Sequence, residues 1–287
     1  MHFTQTGKSV TFFAFAKNAP LLPAGECDVM PFLEDAVVLD DRLFTSHFRS
    51  DNIPVWPCPK CGVQSLCCED DGFQKHYKDP IDTSHPAFDP AWIEYIFTMN
   101  LKCSNSSCGC RVVCVGNGDV SQEYLDDGSG DWDWFDNFQA TYFEPTLHIF
   151  NPPVDTPEGV KRALDISFST FFSSSGLSLS ALRSALEVLL GDMEIASVDA
   201  NGKFLSLAKR INLLPEERRK IVEPANAIRW LGNDGTHGGG FQVRKSDVLD
   251  GYRIFEHILI ELFPERKASV DALVARINEA QGIGRKA

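Results

Sequence analysis

Residues 144–159, EPTLHIFNPPVDTPEG, divide the chain into two unlike halves. The stretch holds four prolines, and proline interrupts helices and sheets because it lacks a backbone N–H donor. Before it, residues 1–150 contain 22 of the 40 acidic residues but only nine of the 27 basic ones, so the formal net charge of −13 lies in that half. All nine cysteines also precede residue 115. We therefore predict two domains, residues 1–152 and residues 153–287.

The length and composition are those of a globular protein. A chain of 287 residues is long enough for each predicted domain to bury its own core. Its apolar runs fall short of the roughly 18 residues that a membrane-spanning helix needs. The run VTFFAFA, residues 10–16, resembles an export signal but suits a first strand better. We expect a cytoplasmic protein without membrane contact, whose acidic half does not bind phosphate backbones in general, because such binding depends on Lys and Arg.

Two cysteine pairs in the acidic half have the spacing of metal-binding turns. Cys58 and Cys61 lie in PCPKCG (57–62), and Cys103 and Cys108 lie in LKCSNSSCGCRV (101–112). A tetrahedral Zn²⁺ is usually held by four such ligands from two tight turns. Glycine follows the second cysteine of each pair, where the turn needs a residue that tolerates positive φ. We predict that these four cysteines bind a structural Zn²⁺, since an all-cysteine site leaves no open coordination position for catalysis.

Other uses of these cysteines stay open on the sequence alone. Cys110 follows closely enough to replace Cys108 as a ligand. Reduced structural cysteines, or a disulfide in an exported protein, are the alternatives to a metal site. The histidines at 47, 76 and 85 are further candidate ligands, although each also suits an ordinary surface or core position.

Short runs rich in β-branched and aromatic residues surround the cysteines and predict strands. They are KSVTFFAFA (8–16), WIEYIFTMNLKC (92–103) and RVVCVG (111–116). The segment DDGSGDWDWFDNFQATYF (126–143) is acidic and aromatic. We interpret it as a solvated loop whose rings fold back onto the domain; the alternative is a contact surface for a partner. The N-terminal half is thus predicted to be a β-rich, zinc-ribbon-like domain.

From Thr156 onward the apolar residues recur at helical spacing. Thr156, Pro157 and Glu158 suit the N-cap, the first position and the first turn of a helix. Apolar stripes such as those over 179–189 and 248–262 predict four to six amphipathic helices. Short links between such helices favour an antiparallel bundle. The whole chain is therefore expected to have an α+β fold.

The stretch IRWLGNDGTHGGG (228–240) carries polar residues at a spacing that suggests chemistry. Arg229, Asn233 and His237 follow one another four residues apart, which keeps them on one slowly turning face of a helix. A cation, an amide and an imidazole on one face suit the chemistry of a phosphate group. The structural alternative is that Asn233 caps the helix and His237 bonds a carbonyl. Arg183 and Glu187, one turn apart on an earlier helix, are candidates to complete the site.

The C-terminal half resembles the family called domain of unknown function 4145. RSALEVLL (183–190), AIRWLGNDGTHG (227–238) and SDVLDGYRIFEHIL (246–259) carry the resemblance, and CPKCG, CSNSSCG and YFEPTLHIF fit a longer, zinc-containing version of that family. The family is grouped with the HEPN superfamily of helical bundles, many of which are metal-independent RNases in toxins and anti-phage defence. The resemblance therefore implies a HEPN-like bundle, a homodimer through that bundle, and RNA or a nucleotide as the ligand.

The superfamily pattern has an arginine directly before Asn or Asp, with a histidine a few residues later. Asn233 and His237 match it, whereas Gly232 stands at the arginine position and Arg229 lies one turn earlier. By resemblance, His237 is the general acid or base and Arg229 stabilises transition-state charge. Asn233 orients the imidazole or the phosphate, and Arg183 and Glu187 bind the ligand. The alternative function is a non-catalytic sensor or adaptor whose zinc module and bundle mediate dimerisation and partner binding.

Overall fold

The computed structural model describes residues 40–125, 130–236 and 242–264, together with 274 and 276–279. Five strands form one antiparallel sheet in chain order: β1 (Trp56–Pro57), β2 (Gln64–Tyr77), β3 (Glu94–Cys103), β4 (Arg111–Tyr124) and β5 (Trp132–Glu144). The helices are α1 (Arg42–Thr45), α2 (Glu158–Phe171), α3 (Ser175–Asp192), α4 (Leu207–Asn212), α5 (Val222–Thr236) and α6 (Lys245–Leu262), with 3₁₀ helices at Pro90–Trp92 and Glu216–Ile221. The predicted α+β fold is confirmed.

The strand β3 shows how the sheet is placed on the core. Its side chains alternate strictly between exposed and buried along all ten residues. This is the period of two that a strand shows when one face is solvated and the other is packed. The buried set is Tyr95, Phe97, Met99, Leu101 and Cys103.

The strand β5 occupies most of the segment that we interpreted as a solvated loop. It pairs with β4 from Trp132, opposite Tyr124, to Glu144, opposite Val113. The loop interpretation is therefore wrong for residues 132–143. Acidic and tryptophan side chains on the exposed positions hid the apolar alternation that ends in the buried Phe138 and Phe143.

The helices after residue 157 pack on one another around apolar stripes. α2 packs on α3, α3 packs on α5 and α6, and α5 also packs on α6. Ser174 caps α3, because its hydroxyl accepts the backbone N–H of Leu177. Leu179, Leu182, Leu186 and Leu189 of α3 are buried, as the helical period predicted. No helix in the described part of the chain is both long enough and apolar enough to cross a membrane.

The sheet and the helices share one hydrophobic core. The Phe143 ring of β5 lies 4.7 Å from that of Phe172, which follows α2, and Phe150 lies 5.3 Å from Phe168 of α2. Leu147 and Ile149, on either side of His148, are buried in the same core. The proline-rich stretch that separates the two halves of the sequence is thus part of the packing.

Candidate functional site

Four sulfur atoms converge in the turns that precede β2 and follow β3. The Sγ atoms of Cys58, Cys61, Cys103 and Cys108 all lie within 4.8 Å of one another. The Cys58–Cys108 and Cys61–Cys103 distances are both 3.7 Å. Four sulfurs at about 2.3 Å from a tetrahedral ion are about 3.8 Å apart. The four cysteines therefore have the geometry of a metal site, and they are the four that the sequence predicts.

Backbone hydrogen bonds shape the two turns. The N–H of Cys58 donates to the carbonyl of Val63 at 2.8 Å, and its carbonyl accepts the N–H of Gly62 at 2.8 Å. In the second turn, the N–H of Gly109 donates to the carbonyl of Asn105 at 3.1 Å. Gly62 and Gly109 have φ values of +72° and +57°, which other residues adopt at a cost. The glycines thus hold the conformations that place the sulfurs.

The electrostatics of the turns favour thiolates at some positions and oppose them at others. Burial raises the pKa of Cys61, but the N–H of Val63 and the neighbouring thiols outweigh it and bring the pKa to about 7. Burial raises the pKa of Cys58, although the N–H groups of Lys60 and Cys61 donate toward its sulfur. Sulfurs this close cannot all carry a charge without a cation. A bound metal ion satisfies the whole set, because it replaces the thiol protons.

The other candidate ligands lie apart from this cluster. Cys110 directs its thiol to the carbonyl of Arg111 at 3.7 Å, and within the described residues it is not among the grouped sulfurs. The histidines at 47, 76 and 85 likewise do not belong to the group. The structure thus favours Cys108 over Cys110 as the fourth sulfur.

A second cluster of predicted residues forms where α3 meets α5. Arg183 Nη1 donates a hydrogen bond to Asn233 Oδ1, and Arg183 Nε lies 3.4 Å from Glu187 Oε1. A Cβ atom on Gly232 would lie 2.5 Å from the Cβ of Arg183 and 2.9 Å from its Cδ. The glycine therefore lets the alkyl part of Arg183 lie directly on α5. We call Arg183, Glu187 and Asn233 the polar cluster.

Arg229 contacts other residues on its own helix. Its Nε donates to Asn226 Oδ1 at 3.2 Å, and its guanidinium carbon lies 3.9 Å from the ring centroid of Trp230. The guanidinium that bonds Asn233 is therefore supplied by Arg183 from α3. His237 lies outside the described residues, so its predicted place beside Asn233 stays a prediction.

The sequence reasoning missed two features of this region. It did not pair Arg183 with Asn233, and it gave no role to Trp230. The available signal was Gly232, because a glycine inside a helix costs about 1 kcal/mol relative to alanine and usually has a packing reason.

Two family models match the chain, and the boundary between them lies where the net charge of the sequence changes. Residues 166–280 match a family model described as domain of unknown function (DUF4145). This match agrees with the resemblance that the sequence of the helical half shows. Residues 46–145 match a model of their own, described as domain of unknown function (DUF8608). Comparison with curated proteins and with solved structures gives no match.

The two clusters belong to different family regions. The DUF8608 region contains all four converging cysteines, and the DUF4145 region contains the polar cluster together with Arg229. The cysteine cluster and the polar cluster therefore lie in separate parts of this chain.

Proposed function

We propose that the protein is a zinc-stabilised, HEPN-like protein that binds RNA or a nucleotide through its helical half and acts as a metal-independent endoribonuclease of a prokaryotic toxin or anti-phage defence system. The observation that carries this proposal is the Arg183–Asn233 hydrogen bond over Gly232. This bond holds the Arg183 guanidinium beside Asn233, one residue after the glycine that stands at the arginine position of the superfamily pattern. A guanidinium held in this way is pre-organised to bind a phosphate through its planar set of donors.

In this mechanism, four side chains have a role. His237 accepts the proton of a ribose 2′-hydroxyl while that oxygen attacks the neighbouring phosphorus. The bond from phosphorus to the 5′-oxygen breaks, which leaves a 2′,3′-cyclic phosphate. The 5′-oxygen takes a proton from water to become a 5′-hydroxyl, and His237 returns its proton to water. Arg183 stabilises the negative charge that builds up on the phosphate oxygens. Asn233 holds the guanidinium in place, and Glu187 restricts it from the other side.

RNA cleavage in excess chelator tests this activity. We expect the purified protein to cleave RNA to products with 2′,3′-cyclic phosphate ends, at a rate that falls by about 10²-fold or more in His237→Ala. Arg183→Ala is expected to lose activity as well. The exposed Arg218 lies outside both clusters, so Arg218→Ala is the matched control. Zinc content is measured in the same samples, so that loss of folding is not mistaken for loss of chemistry. RNA that stays intact at high protein concentration contradicts the proposal.

For the cysteine cluster we propose Zn²⁺ as the metal. Zn²⁺ accepts four thiolates in a tetrahedron, and Cys58, Cys61, Cys103 and Cys108 present four sulfurs at matching distances. Four protein ligands leave no position for water or substrate, so the ion would stabilise the fold and take no part in cleavage.

Metal analysis of two matched variants tests the zinc proposal. We expect about one zinc ion per chain in the unaltered protein and in Cys110→Ser, whose thiol lies outside the cluster. Cys103→Ser should lose the metal, because three thiolates bind Zn²⁺ less tightly than four. Equal metal content in both variants, or another metal in the purified protein, contradicts the assignment.

One observation favours the alternative of a non-catalytic adaptor. Trp230 on α5 is 60% exposed and carries the Arg229 guanidinium on its ring. Exposed tryptophan and arginine are the residues that most often dominate protein interfaces. In this alternative, the bundle forms a homodimer or binds a protein through that surface. Two measurements together distinguish the functions. In the adaptor, Trp230→Ala weakens dimerisation in sedimentation equilibrium and the unaltered protein leaves RNA intact, whereas the nuclease cleaves RNA.

A further inference from the structure

A cleft of about 520 Å³ opens where the sheet, α1, α3 and α6 meet. Thr45 lines it from α1, Gln139 from β5 and Ser175 from α3, while Lys245 and Ser246 come from the start of α6. None of its lining residues belongs to the cysteine cluster or to the polar cluster. We call this space the α3/α6 cleft.

Two cationic side chains of the cleft have no counter-ion. Arg244 and Lys245 line it, and neither forms an ion pair with a carboxylate in the described part of the chain. Lys245 is half-buried, with Nζ 5.6 Å from the ring centroid of Phe172, and burial lowers the pKa of its ammonium. The ring attracts the ammonium only weakly, so an anion that joined this half-buried cation would stabilise the fold.

The carboxylates near the cleft do not fill that role. Asp41 lines the cleft and forms an ion pair with Arg253 of α6, which also pairs with Asp250 at 2.9 Å. Asp247 accepts the backbone N–H of Arg244 at 2.8 Å and so caps the start of α6. Both carboxylates thus have partners of their own, and neither forms an ion pair with Lys245 in the described part of the chain.

The backbone adds donors to the same space. The N–H groups of Ser175 and Lys245 belong to the first turns of α3 and α6, and neither has an acceptor among the residues that the structure describes. Ser175 and Ser246 both line the cleft. The first turn of a helix attracts anions, and the first turns of α3 and α6 both border this cleft.

We infer that the α3/α6 cleft binds a small phosphorylated molecule of about nucleotide size, with its phosphate on Lys245 and Arg244. The volume falls within the range of about 300–1,000 Å³ that is usual for small-molecule sites and exceeds what a lone phosphate needs. The remaining space, next to Thr45 and Gln139, takes the uncharged part of the ligand. This inference does not rest on the proposed nuclease, because the cleft is separate from the polar cluster.

Binding of three probes to the full chain tests this inference by calorimetry and by thermal unfolding. Inorganic phosphate and AMP should both bind and raise the melting temperature, AMP more tightly, whereas adenosine should do neither. Charge-assisted hydrogen bonds are strong enough for the double variant Lys245→Met, Arg244→Gln to weaken AMP binding by about tenfold or more. The control is Lys203→Met, Arg218→Gln, which changes the same charges at exposed residues outside the cleft.

Each outcome of these measurements supports or overturns one part of the inference. Adenosine that binds as well as AMP, or a double variant that binds AMP like the control, overturns the phosphate site. AMP that binds no tighter than inorganic phosphate overturns the nucleotide-sized ligand. The single variant Arg244→Gln, at an exposed residue, covers the case in which loss of Lys245 hinders folding, and weaker AMP binding is expected there too. None of these results depends on RNA cleavage, so the nuclease proposal is tested separately.

Discussion

At the level of single residues, Gly232 decides how closely α3 approaches α5. The Cβ of Gly232→Ala would lie 2.5 Å from the Cβ of Arg183, a backbone-proximal atom that cannot simply rotate away. We expect this variant to lose about 1–3 kcal/mol of unfolding free energy, as overpacked cores do. The loss should appear although alanine is the better helix former. Urea denaturation measures it.

The control for this prediction is another helical glycine. A Cβ on Gly191, near the end of α3, would meet Arg210 Nη2 at 3.9 Å, an ordinary contact. Gly191→Ala should therefore leave the stability unchanged or raise it by up to about 1 kcal/mol. Equal effects of the two substitutions would show that close approach at Gly232 does not matter.

Glu256 of α6 gives a prediction about pH. Burial raises the pKa of its carboxyl above the ordinary value of 4.5. The folded state then holds this proton more tightly than the unfolded state, so stability is lost as pH rises from 4.5 through the folded pKa. Glu256→Gln should thus raise the unfolding free energy at pH 7 and have little effect near pH 4. Glu217→Gln, at an exposed residue, is the control. If Glu256→Gln raised the unfolding free energy equally at pH 4 and pH 7, the raised pKa of Glu256 would be contradicted.

Residue types and spacing predicted some contacts and missed others for a physical reason. The cysteine pairs are local motifs, and each turn is closed by bonds within a few residues, so spacing alone indicated them. The Arg183–Asn233 bond joins residues 50 positions apart and exists because two helices pack. Helical periodicity predicted that Arg229 lies on the same face as Asn233. It does not show which partner the side chain takes, and the guanidinium contacts the nearer Asn226 and Trp230.

At the level of secondary-structure elements, a buried hydrogen-bond group joins three helices. The Tyr252 hydroxyl of α6 lies 2.7 Å from Ser178 Oγ of α3 and 3.0 Å from Ser167 Oγ of α2. Ser167 Oγ also donates to the carbonyl of Ser178 at 2.8 Å. Burial raises the pKa of Tyr252, so its hydroxyl keeps its proton at neutral pH. The group fixes the position of α6 relative to α2 and α3.

Removal of this hydroxyl should loosen the helix packing. Tyr252→Phe leaves two buried serine hydroxyls with one partner fewer, and we expect a loss of about 1–2 kcal/mol in unfolding free energy. Tyr142→Phe is the control, because the exposed Tyr142 hydroxyl bonds only to Glu144 at 2.6 Å. Chemical denaturation of both variants provides the measurement, and a Tyr252→Phe variant as stable as the control would contradict the role of this group.

The elements differed in how clearly the sequence indicated them. The long helices after residue 157 were evident because α2, α3 and α6 each bury an apolar stripe in the core. The strand β5 was missed because its first three residues, Trp132, Asp133 and Trp134, are all exposed, so the alternation of a strand with one packed face is absent there. Pro224 did not break α5, since it lies in the first turn, where a backbone N–H has no partner inside the helix.

At the level of the whole molecule, the shared core should couple the sheet to the helices. Ring contacts such as Phe143–Phe172 and Phe44–Phe171 join elements of the two halves. A structural Zn²⁺ contributes on the order of 10 kcal/mol to folding in small domains. We therefore expect a strong zinc chelator to lower the unfolding temperature of the helical signal in circular dichroism, and not only that of the sheet.

The ring contacts across the core also supply a control. Phe172→Ala removes the contact with Phe143 and should make the helical signal less sensitive to the chelator, because the coupling between the halves is weaker. A helical signal that melts at the same temperature with and without chelator would show two independent units. That result would favour the predicted division at residues 152 and 153.

Composition described the whole molecule only in part. Charge and cysteine usage report surface chemistry and metal ligands, and both indicated a change near residue 150. They carry no information on which apolar faces meet. The contact between the halves depends on Phe143, Phe150 and Phe168, whose partners are set by the fold.

The alternation along β3 has a consequence for folding accuracy. If β3 shifted by one position against β2, Glu94 and Lys102 would turn inward and Phe97 outward, and the sulfur of Cys103 would leave its three companions. An ion that needs four sulfurs would then bind only the correctly paired sheet. Metal binding would thus stabilise only the sheet with the correct register, since misaligned chains could not retain the ion.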